Sequence, residues 1–391
     1  MSEDLSKRPR LLIVSDTAIY IDEKGEYLSF EPVARELENF APLFDTITWI
    51  ASKYPFNETI RNVKRIENVS INYILTPAIG GKGLFNRIKI VSEYFRLGVL
   101  IFTNIFKSDV IHSRGPSHAA IITAFYSRYF KRKTFWQKYA GNWGAEKDPL
   151  SYAINKRLLK KCHNSKVTIN GKWPDQPEHC LSFENPCLTN SERQSGAEII
   201  KNKAYDGKLD FIFVGRIEEE KVIGRILEAF SELKNNPRIG VVRFIGDGPS
   251  RSVFEKMARE LQVRTQFYGL LNREELNKLF TISHVLLLPS SASEGFPKVI
   301  AEGANYGCIP LVSNISSLPQ YIQNGINGFI MPSLDKAGLK YCLDNLILMI
   351  GDDLKQIAGK AHEMGNKFTY DFYNTRITRD ILCLVNYSDN A

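Results

Sequence analysis

From Arg10 onward the chain alternates short apolar runs with stretches of helical periodicity, and it does so twice, on either side of a break rich in Pro and Gly. That rhythm excludes more architectures than any other property of the sequence. Strand, crossover helix and parallel strand in repetition is how a chain covers both faces of an open sheet, so each half reads as a doubly wound α/β domain. In the first half the candidate strands are Leu11 to Val14, Thr46 to Ala51, Val69 to Leu75, Val110 to His112, Thr134 to Tyr139 and Lys166 to Ile169. The break, Asn170 to Gly207, holds Gly171, Pro174, Pro177, Pro186, Gly196 and Gly207 among polar residues, the composition of a linker. Alternation restarts at Leu209 and continues to Lys367. The expected division is a first Rossmann-like domain over 1–190, a linker over 191–206, a second Rossmann-like domain over 207–368 and a separate C-terminal helix over 369–391. Two such domains in tandem imply a cleft, and ligands of open α/β sheets bind at the carboxyl ends of the strands.

Length and composition agree with two domains: 391 residues, 43% apolar and 24% charged, are those of a globular protein and not of a disordered one. The six cysteines (Cys162, Cys180, Cys187, Cys308, Cys342, Cys383) show neither CxxC spacing nor a dense framework, so free thiols in a reducing compartment are expected. The N-terminus MSEDLSKRPR has no apolar core of a signal peptide, and the longest apolar stretch, Leu97 to Phe106, falls short of the ~18 residues of a spanning helix. A cytoplasmic protein is expected.

The formal charge of +8 is unevenly spread. Between Lys82 and Lys138 eleven basic residues (Lys82, Arg87, Lys89, Arg96, Lys107, Arg114, Arg128, Lys131, Arg132, Lys133, Lys138) face only Glu93 and Asp109. They are interleaved with Phe85, Phe95, Phe102, Phe106, Tyr126, Tyr129 and Phe130. One reading is a solvated basic face on two helices. The other is peripheral attachment to an anionic membrane surface, on the inner face of the cell membrane. No nucleic-acid motif accompanies the charge, which argues against a nucleic-acid partner.

The stretch most specific for chemistry is PSSASEGFPKVIAEGANYGCIP, Pro289 to Pro310. The apolar strand Val285 to Leu288 runs into a Ser-rich loop, then Glu294, Gly295 and Phe296, then Pro297 opening a helix that carries Glu302 and ends near Gly307. Strand, small-residue loop and helix N-terminus make an anion site, because free N–H groups and the positive helix end converge there. Glu302 lies several ångströms deeper than Glu294, at about 1.5 Å per helical residue. A diphosphate at the helix end would have one carboxylate near each of its ends, an arrangement suited to a molecule with hydroxyls on both sides of a diphosphate, such as a nucleotide sugar. In FVGRIEEEKVIGRILEAF, Arg216 follows a strand and Lys221 opens the next helix. Both could reach the same phosphate, Arg by its fork and Lys as a point charge.

Other constellations are weaker. Asp247-Gly248-Pro249 is a tight turn with a structural reading. FYGLL, with Gly269 and Leu270, ends a strand whose backbone could face a base. VIHSRGPSHAA places His112, Arg114 and His118 around a strand end, with His112 read as a structural histidine. QKYAGNWG could line the cleft with Tyr139 and Trp143 stacking on a sugar. Gly80-Gly81-Lys82-Gly83 lacks the spacing of a phosphate loop. There is no Asp-x-Asp, neither His163 nor His179 has metal-ligand spacing, and GxSxG is absent.

Taken together, FVGR with Lys221, FIGDGP, YGLLNREELNKLF followed by LLLPS, EGFPKVIAEGANYGCIPLV and NGINGFI resemble, in order and spacing, the retaining glycosyltransferases of family four, which have the GT-B fold. The resemblance spans about Leu209 to Pro332. It implies two Rossmann-like domains facing a cleft, with the terminal helix crossing back to the first. It also implies a nucleotide diphosphate sugar, UDP- or GDP-linked, as co-substrate, no metal or other cofactor, and transfer with retained configuration to a hydroxyl of a glycan or lipid-linked acceptor. By this similarity Glu294 would contact the donor sugar near the reacting centre, Arg216 and Lys221 would stabilise the diphosphate as charge builds on it, and Glu302 would hold the ribose. Gly295, Phe296, Pro297, Lys298 and Val299 would line the donor, with Phe296, Lys298 and Val299 offering N–H groups and Pro297 having none to give, and Gly269 and Leu270 would border the base. The first half departs from the pattern: Gly25 in SDTAIYIDEKGEY stands where members have a Gly-Gly loop, and YAGNW where many carry a His. Surface polysaccharide or glycolipid synthesis is the expected setting. The rival readings are a nucleotide-sugar epimerase of the same fold and a non-catalytic carbohydrate- or membrane-binding relative.

Overall fold

A computed structural model describes residues 8–57, 60, 62–67, 69–78, 84–218, 222–291 and 295–384, the side chains of 84–91 excepted. The chain forms two compact units, one of residues up to Glu184 together with those from Tyr370, the other Asn185–Thr369.

The first unit contains β1 (Leu11–Ile21), β2 (Tyr27–Phe30), α1 (Glu31–Phe40), β3 (Ile47–Tyr54), β4 (Val63–Arg65), β5 (Ile71–Pro77), α2 (Leu84–Ile105), β6 (Val110–Gly115), α3 (His118–Tyr126), β7 (Thr134–Tyr139), α4 (Leu150–Lys160), β8 (Ser165–Ile169) and β9 (Cys180–Ser182). Its parallel strands lie in the order β5-β3-β1-β6-β7-β8-β9. Leu11, Ile13 and Trp49 pack on one face, and Leu12, Val14 and Ile50 on the other, the pattern of strands covered on both sides. The second unit contains α5 (Asn190–Asn202), β10 (Leu209–Val214), α6 (Val222–Leu233), β11 (Ile239–Ile245), α7 (Arg251–Glu260), β12 (Thr265–Gly269), α8 (Arg273–Ile282), β13 (Val285–Leu288), α9 (Lys298–Asn305), β14 (Ile309–Ser313), α10 (Leu318–Tyr321), β15 (Phe329–Met331), α11 (Lys336–Leu348) and α12 (Gly351–Met364). Its strands are all parallel, in the order β12-β11-β10-β13-β14-β15. The direction of winding reverses between β10 and β13, which makes the crevice beyond their carboxyl ends the switch point where such sheets bind ligands.

The terminal helix α13 (Tyr370–Arg376) packs in the first unit. Tyr373, Ile377 and Ile381 join the core around Trp49 and Trp136, and Arg376 donates to the Ser182 carbonyl at 2.9 Å while lying 4.3 Å from the centre of the Phe183 ring.

Four expectations need correction. Residues 191–206 are no linker: α5 fills most of them, with a capping box in which Thr189 Oγ1 accepts from the Glu192 N–H and Glu192 accepts from the Thr189 N–H. Gly196 is a contact and not a break, since a Cβ there would lie 2.1 Å from the Asn305 carbonyl oxygen of α9. Gly25 turns a hairpin between β1 and β2 with φ +81°, Asp22 accepting from the Lys24 and Glu26 N–H groups, so the first strand continues to Ile21 where a loop was expected. Tyr139 and Trp143 are 1% and 4% exposed and meet edge to face in the core beside α4, which leaves neither ring a face for a sugar. Arg114 and Lys138 leave the surface: they converge on the buried carboxylate of Glu36, Arg114 Nη1 donating at 2.8 Å and Lys138 Nζ at 2.7 Å.

The cysteines are all free, and all but Cys383 are buried. Among the described residues no helix is long and apolar enough to cross a membrane. The Gly80 to Gly83 stretch lies outside the described residues.

Candidate functional site

At the switch point of the second unit a cavity of about 530 Å³ opens between the end of β10 and the start of α9, lined among others by Arg216, Glu218, Ser290, Lys298, Val299 and Ser316. Two loops of one sheet edge therefore meet, the one after β10 with its arginine and the one after β13 with the helix N-terminus. Pro297 also lines this cavity and is the residue before the first turn of α9, φ −65° and ψ 118°, one position earlier than expected. Pro297 has no N–H to offer, and Lys298 and Val299, the first residues of α9, line the cavity at the positive end of the helix. Arg216 is 80% exposed and paired with Glu218 Oε1 at 2.5 Å; an exposed pair of this kind holds its guanidinium only weakly.

The frame around these groups is built from hydroxyls and glycines. Ser313 Oγ donates to the Ser290 carbonyl at 2.7 Å, Ser316 and Ser317 donate to the Gly295 carbonyl at 2.9 and 2.7 Å, and Arg225 donates to the Pro289 carbonyl at 3.0 Å. Both ends of the loop after β13 are thus fixed to β14, α6 and the turn before α10. Asp247-Gly248-Pro249 braces the Arg216 loop: the Ile217 N–H donates to the Asp247 carbonyl at 3.1 Å, and a Cβ on Gly248 would lie 2.0 Å from the Ile217 oxygen. The structural reading of that turn is the one the contacts support.

Glu302 sits one helical turn below Lys298, about 6 Å along α9, and does not line the cavity. Its Oε1 accepts from Arg273 Nη1 at 2.7 Å. Phe296 is buried, its ring stacked 4.4 Å from that of Phe368, so its side chain belongs to the core. Gly269, φ +76°, ends β12, and Leu270 beside it is 47% exposed; both border the same sheet edge outside the cavity. Glu294 and Lys221 lie outside the described residues. Among the described residues no three His, Cys, Asp or Glu side chains gather as a metal site.

Arg273 and Glu192 were missed by sequence reasoning. The signal was present, an arginine directly after the Asn272 cap of α8 and a Thr-x-x-Glu box in the presumed linker, but neither pattern says which distant carboxylate it meets. In the first unit, His112 is fully buried, stacked 3.7 Å from Trp136, and held well below the usual imidazole range by burial, then by Arg114 and Lys138. That is a structural histidine. His118 opens α3, its N–H donating to Asp16 at 3.1 Å and its ring against the Tyr94 hydroxyl, at the point where the first sheet reverses its winding.

Two doubly wound parallel sheets with the terminal helix packed in the first unit are the GT-B arrangement of secondary structure. Solved structures with this fold include a glycosyltransferase from Rickettsia africae, with a TM-score of 0.64 and 19% identity over 96% of this chain and 99% of that one. HepE of Anabaena, in complex with UDP and glucose, gives 0.66 and 13% over 96% and 100%. At these identities the likeness concerns the fold. Residues 195–361, most of the second unit, match the family described as Glycosyl transferases group 1. A putative colanic acid biosynthesis glycosyltransferase, WcaL of Salmonella typhimurium, is 27% identical over 191 residues, 47% of this chain and 46% of the relative. The chain thus aligns with less than half the length of this curated relative.

Proposed function

We propose that the chain is a retaining, metal-independent glycosyltransferase that moves a sugar from a UDP- or GDP-linked donor to a hydroxyl of a glycan or lipid-linked acceptor, in surface polysaccharide or glycolipid synthesis. The observation that carries the reading is the convergence of Arg216 and the N-terminus of α9 on one cavity at the switch point of the second sheet. An arginine fork and the positive end of a helix suit a diphosphate, whose charge rises as the sugar leaves. Lys221 would complete the cradle, Glu294 would contact the sugar, and Glu302 would take the ribose hydroxyls. The UDP and glucose bound by HepE and the colanic acid assignment of WcaL favour the same donor class and the same setting. The reading includes a cytoplasmic location, with the aromatic and basic face of α2 and α3 attached to the inner face of the cell membrane.

Isothermal titration of UDP, GDP and ADP and their sugars against the full chain tests this. Ligand at a hundredfold its Kd should stabilise the protein by about 3 kcal/mol. Product analysis with and without a glycan acceptor then separates the alternatives. A transferase needs the acceptor and yields a glycoside of retained configuration; an epimerase consumes donor alone; a binding relative loses nucleotide in Lys221→Ala or Glu302→Ala without ever turning over. Absence of binding to any nucleotide would sink the enzyme reading.

A further inference from the structure

We propose that Arg273 is a positioning residue that orients the Glu302 carboxylate toward a ribose diol, with Glu192 of α5 as its anchor. The proposal rests on the nucleotide-sugar reading and adds to it roles for Arg273 and Glu192 that the resemblance does not assign.

Arg273 is the first residue of α8, four positions beyond Gly269. A cation at a helix N-terminus faces the positive end of the dipole, so its place there calls for specific compensation. Three acceptors from three segments supply it: Nη1 donates to Glu302 Oε1 at 2.7 Å, Nε to Glu192 Oε1 at 2.8 Å and Nη2 to the Cys187 carbonyl at 2.8 Å. A planar group held at three corners has one orientation. Burial opposes its charge, but Glu302 and then Glu192 outweigh burial and hold the guanidinium above its ordinary value.

The anchor is itself fixed. Glu192 gives its other oxygen to the Thr189 N–H at 2.8 Å, its carbonyl accepts from Asn305 Nδ2 at 2.8 Å, and Gly196 brings α5 against α9. Glu302 and its guanidinium partner are thus tied to one scaffold, and the link runs from the edge at Gly269 to the carboxylate on α9. Among the described residues no hydrogen bond is made to Glu302 Oε2. One oxygen held and the other open is the arrangement a carboxylate needs to receive a vicinal diol in a single pose.

The test is a ribose-discrimination series on the full chain: affinities of UDP, GDP, dUDP and dGDP by calorimetry, using whichever ribonucleotide binds more tightly as the probe. Wild type should prefer the ribonucleotide about tenfold or more, as expected for a hydrogen bond to a charged group. Arg273→Met should reduce that preference to about twofold, Glu302→Ala likewise, and the double variant no further, the mark of residues acting as one. Arg273→Lys should restore part of it, because an ammonium can hold Glu302 without spanning to Glu192 and Cys187. Affinity for inorganic diphosphate should be unchanged in Arg273→Met; its loss alongside the preference would show a merely structural role and overturn the proposal. If Arg273→Met keeps the wild-type preference while Glu302→Ala loses it, Arg273 is not the positioning residue. If Glu302→Ala keeps it, the ribose reading of Glu302 falls instead. Should Arg273→Met fail to fold, Glu192→Gln carries the test, and an unaltered preference there overturns the proposal.

Discussion

His284 shows how a single residue makes this fold sensitive to acid. Its Nδ1 accepts from the Asp210 N–H and its Nε2 faces the Ala204 carbonyl, both at 3.0 Å, a pairing that only the neutral ring satisfies. Burial, then Lys203, lower its pKa from 6.5 to about 4 against the opposing pull of Asp210. As pH falls through 6.5 the unfolded chain takes up this proton first, the folded chain only near 4, so the stability it contributes is whole above that window and lost across it, up to roughly 3 kcal/mol. Urea midpoints measured at about pH 7.5 and about pH 5 should differ less in His284→Asn than in wild type. His362, lowered first by burial, leaves part of the slope in place; an undiminished difference would remove His284 from the account. Gly248 offers a second test at this scale. Gly248→Ala drives a methyl into the Ile217 carbonyl and should cost about 1–3 kcal/mol while weakening UDP binding through the Arg216 loop. Gly359→Ala in α12, where a Cβ would meet nothing within 4 Å, should instead stabilise by about 0.5–1 kcal/mol. Thermal melts of the pair read both signs.

At the scale of elements, most strands and helices of the second unit were legible because most of the strands are apolar runs and several helices begin with a recognisable signal, as Asn272 does for α8. α5 was not, although Thr189 and Glu192 are a legible box: Pro186 and Gly196 spoke for a break, and only the contact of Gly196 with Asn305 shows that this glycine serves packing. The antiparallel pair of β2 and β4 was hidden for a related reason, since strands this short carry too little pattern to separate them from a loop. The seat of α13 was suggested by resemblance, while its chemistry was invisible: Tyr373 Oη donates to Glu36 Oε1 at 3.3 Å, on the same oxygen that takes Arg114 and Lys138. Removing that carboxylate leaves two cations together in the interior, and Glu36→Ala should destabilise the first unit by about 3–5 kcal/mol. Hydrogen exchange of residues 370–381 should accelerate in that variant; amides as protected as in wild type would show that α13 is held by its apolar contacts alone.

For the whole molecule, charge was the property read least accurately from the sequence. Arg114 and Lys138 count toward the formal excess but neutralise Glu36 inside the first unit, whereas Phe95, Phe102, Phe106 and Tyr129, interleaved with the remaining cations, are exposed. Phe95, Val99 and Phe102 follow one another at helical spacing along α2, Phe106 stands just past its end, and Phe125 and Tyr129 extend the patch. Phe102 meets Phe106 at 5.1 Å and Tyr126 at 5.7 Å, and Phe125 meets Tyr129 at 5.3 Å, so the rings form a continuous layer. Lys107, Arg128, Lys131 and Arg132 are exposed at its margin. Rings that dip into the headgroup boundary beside cations that meet anionic lipid would act additively, the first insensitive to salt and the second screened by it. Vesicles containing phosphatidylglycerol should therefore sediment the protein, and vesicles of phosphatidylcholine alone should do so far less. Lys131→Gln/Arg132→Gln should weaken binding by about 1 kcal/mol per charge and flatten its salt dependence. Phe95→Ser/Tyr129→Ser, removing rings that are 76% and 68% exposed in the free protein, should weaken binding tenfold or more, at about 25 cal/mol per Å² of apolar surface inserted, and leave the salt dependence as it was. Equal sedimentation by neutral and anionic vesicles, or none by either, would return this face to being a solvated one.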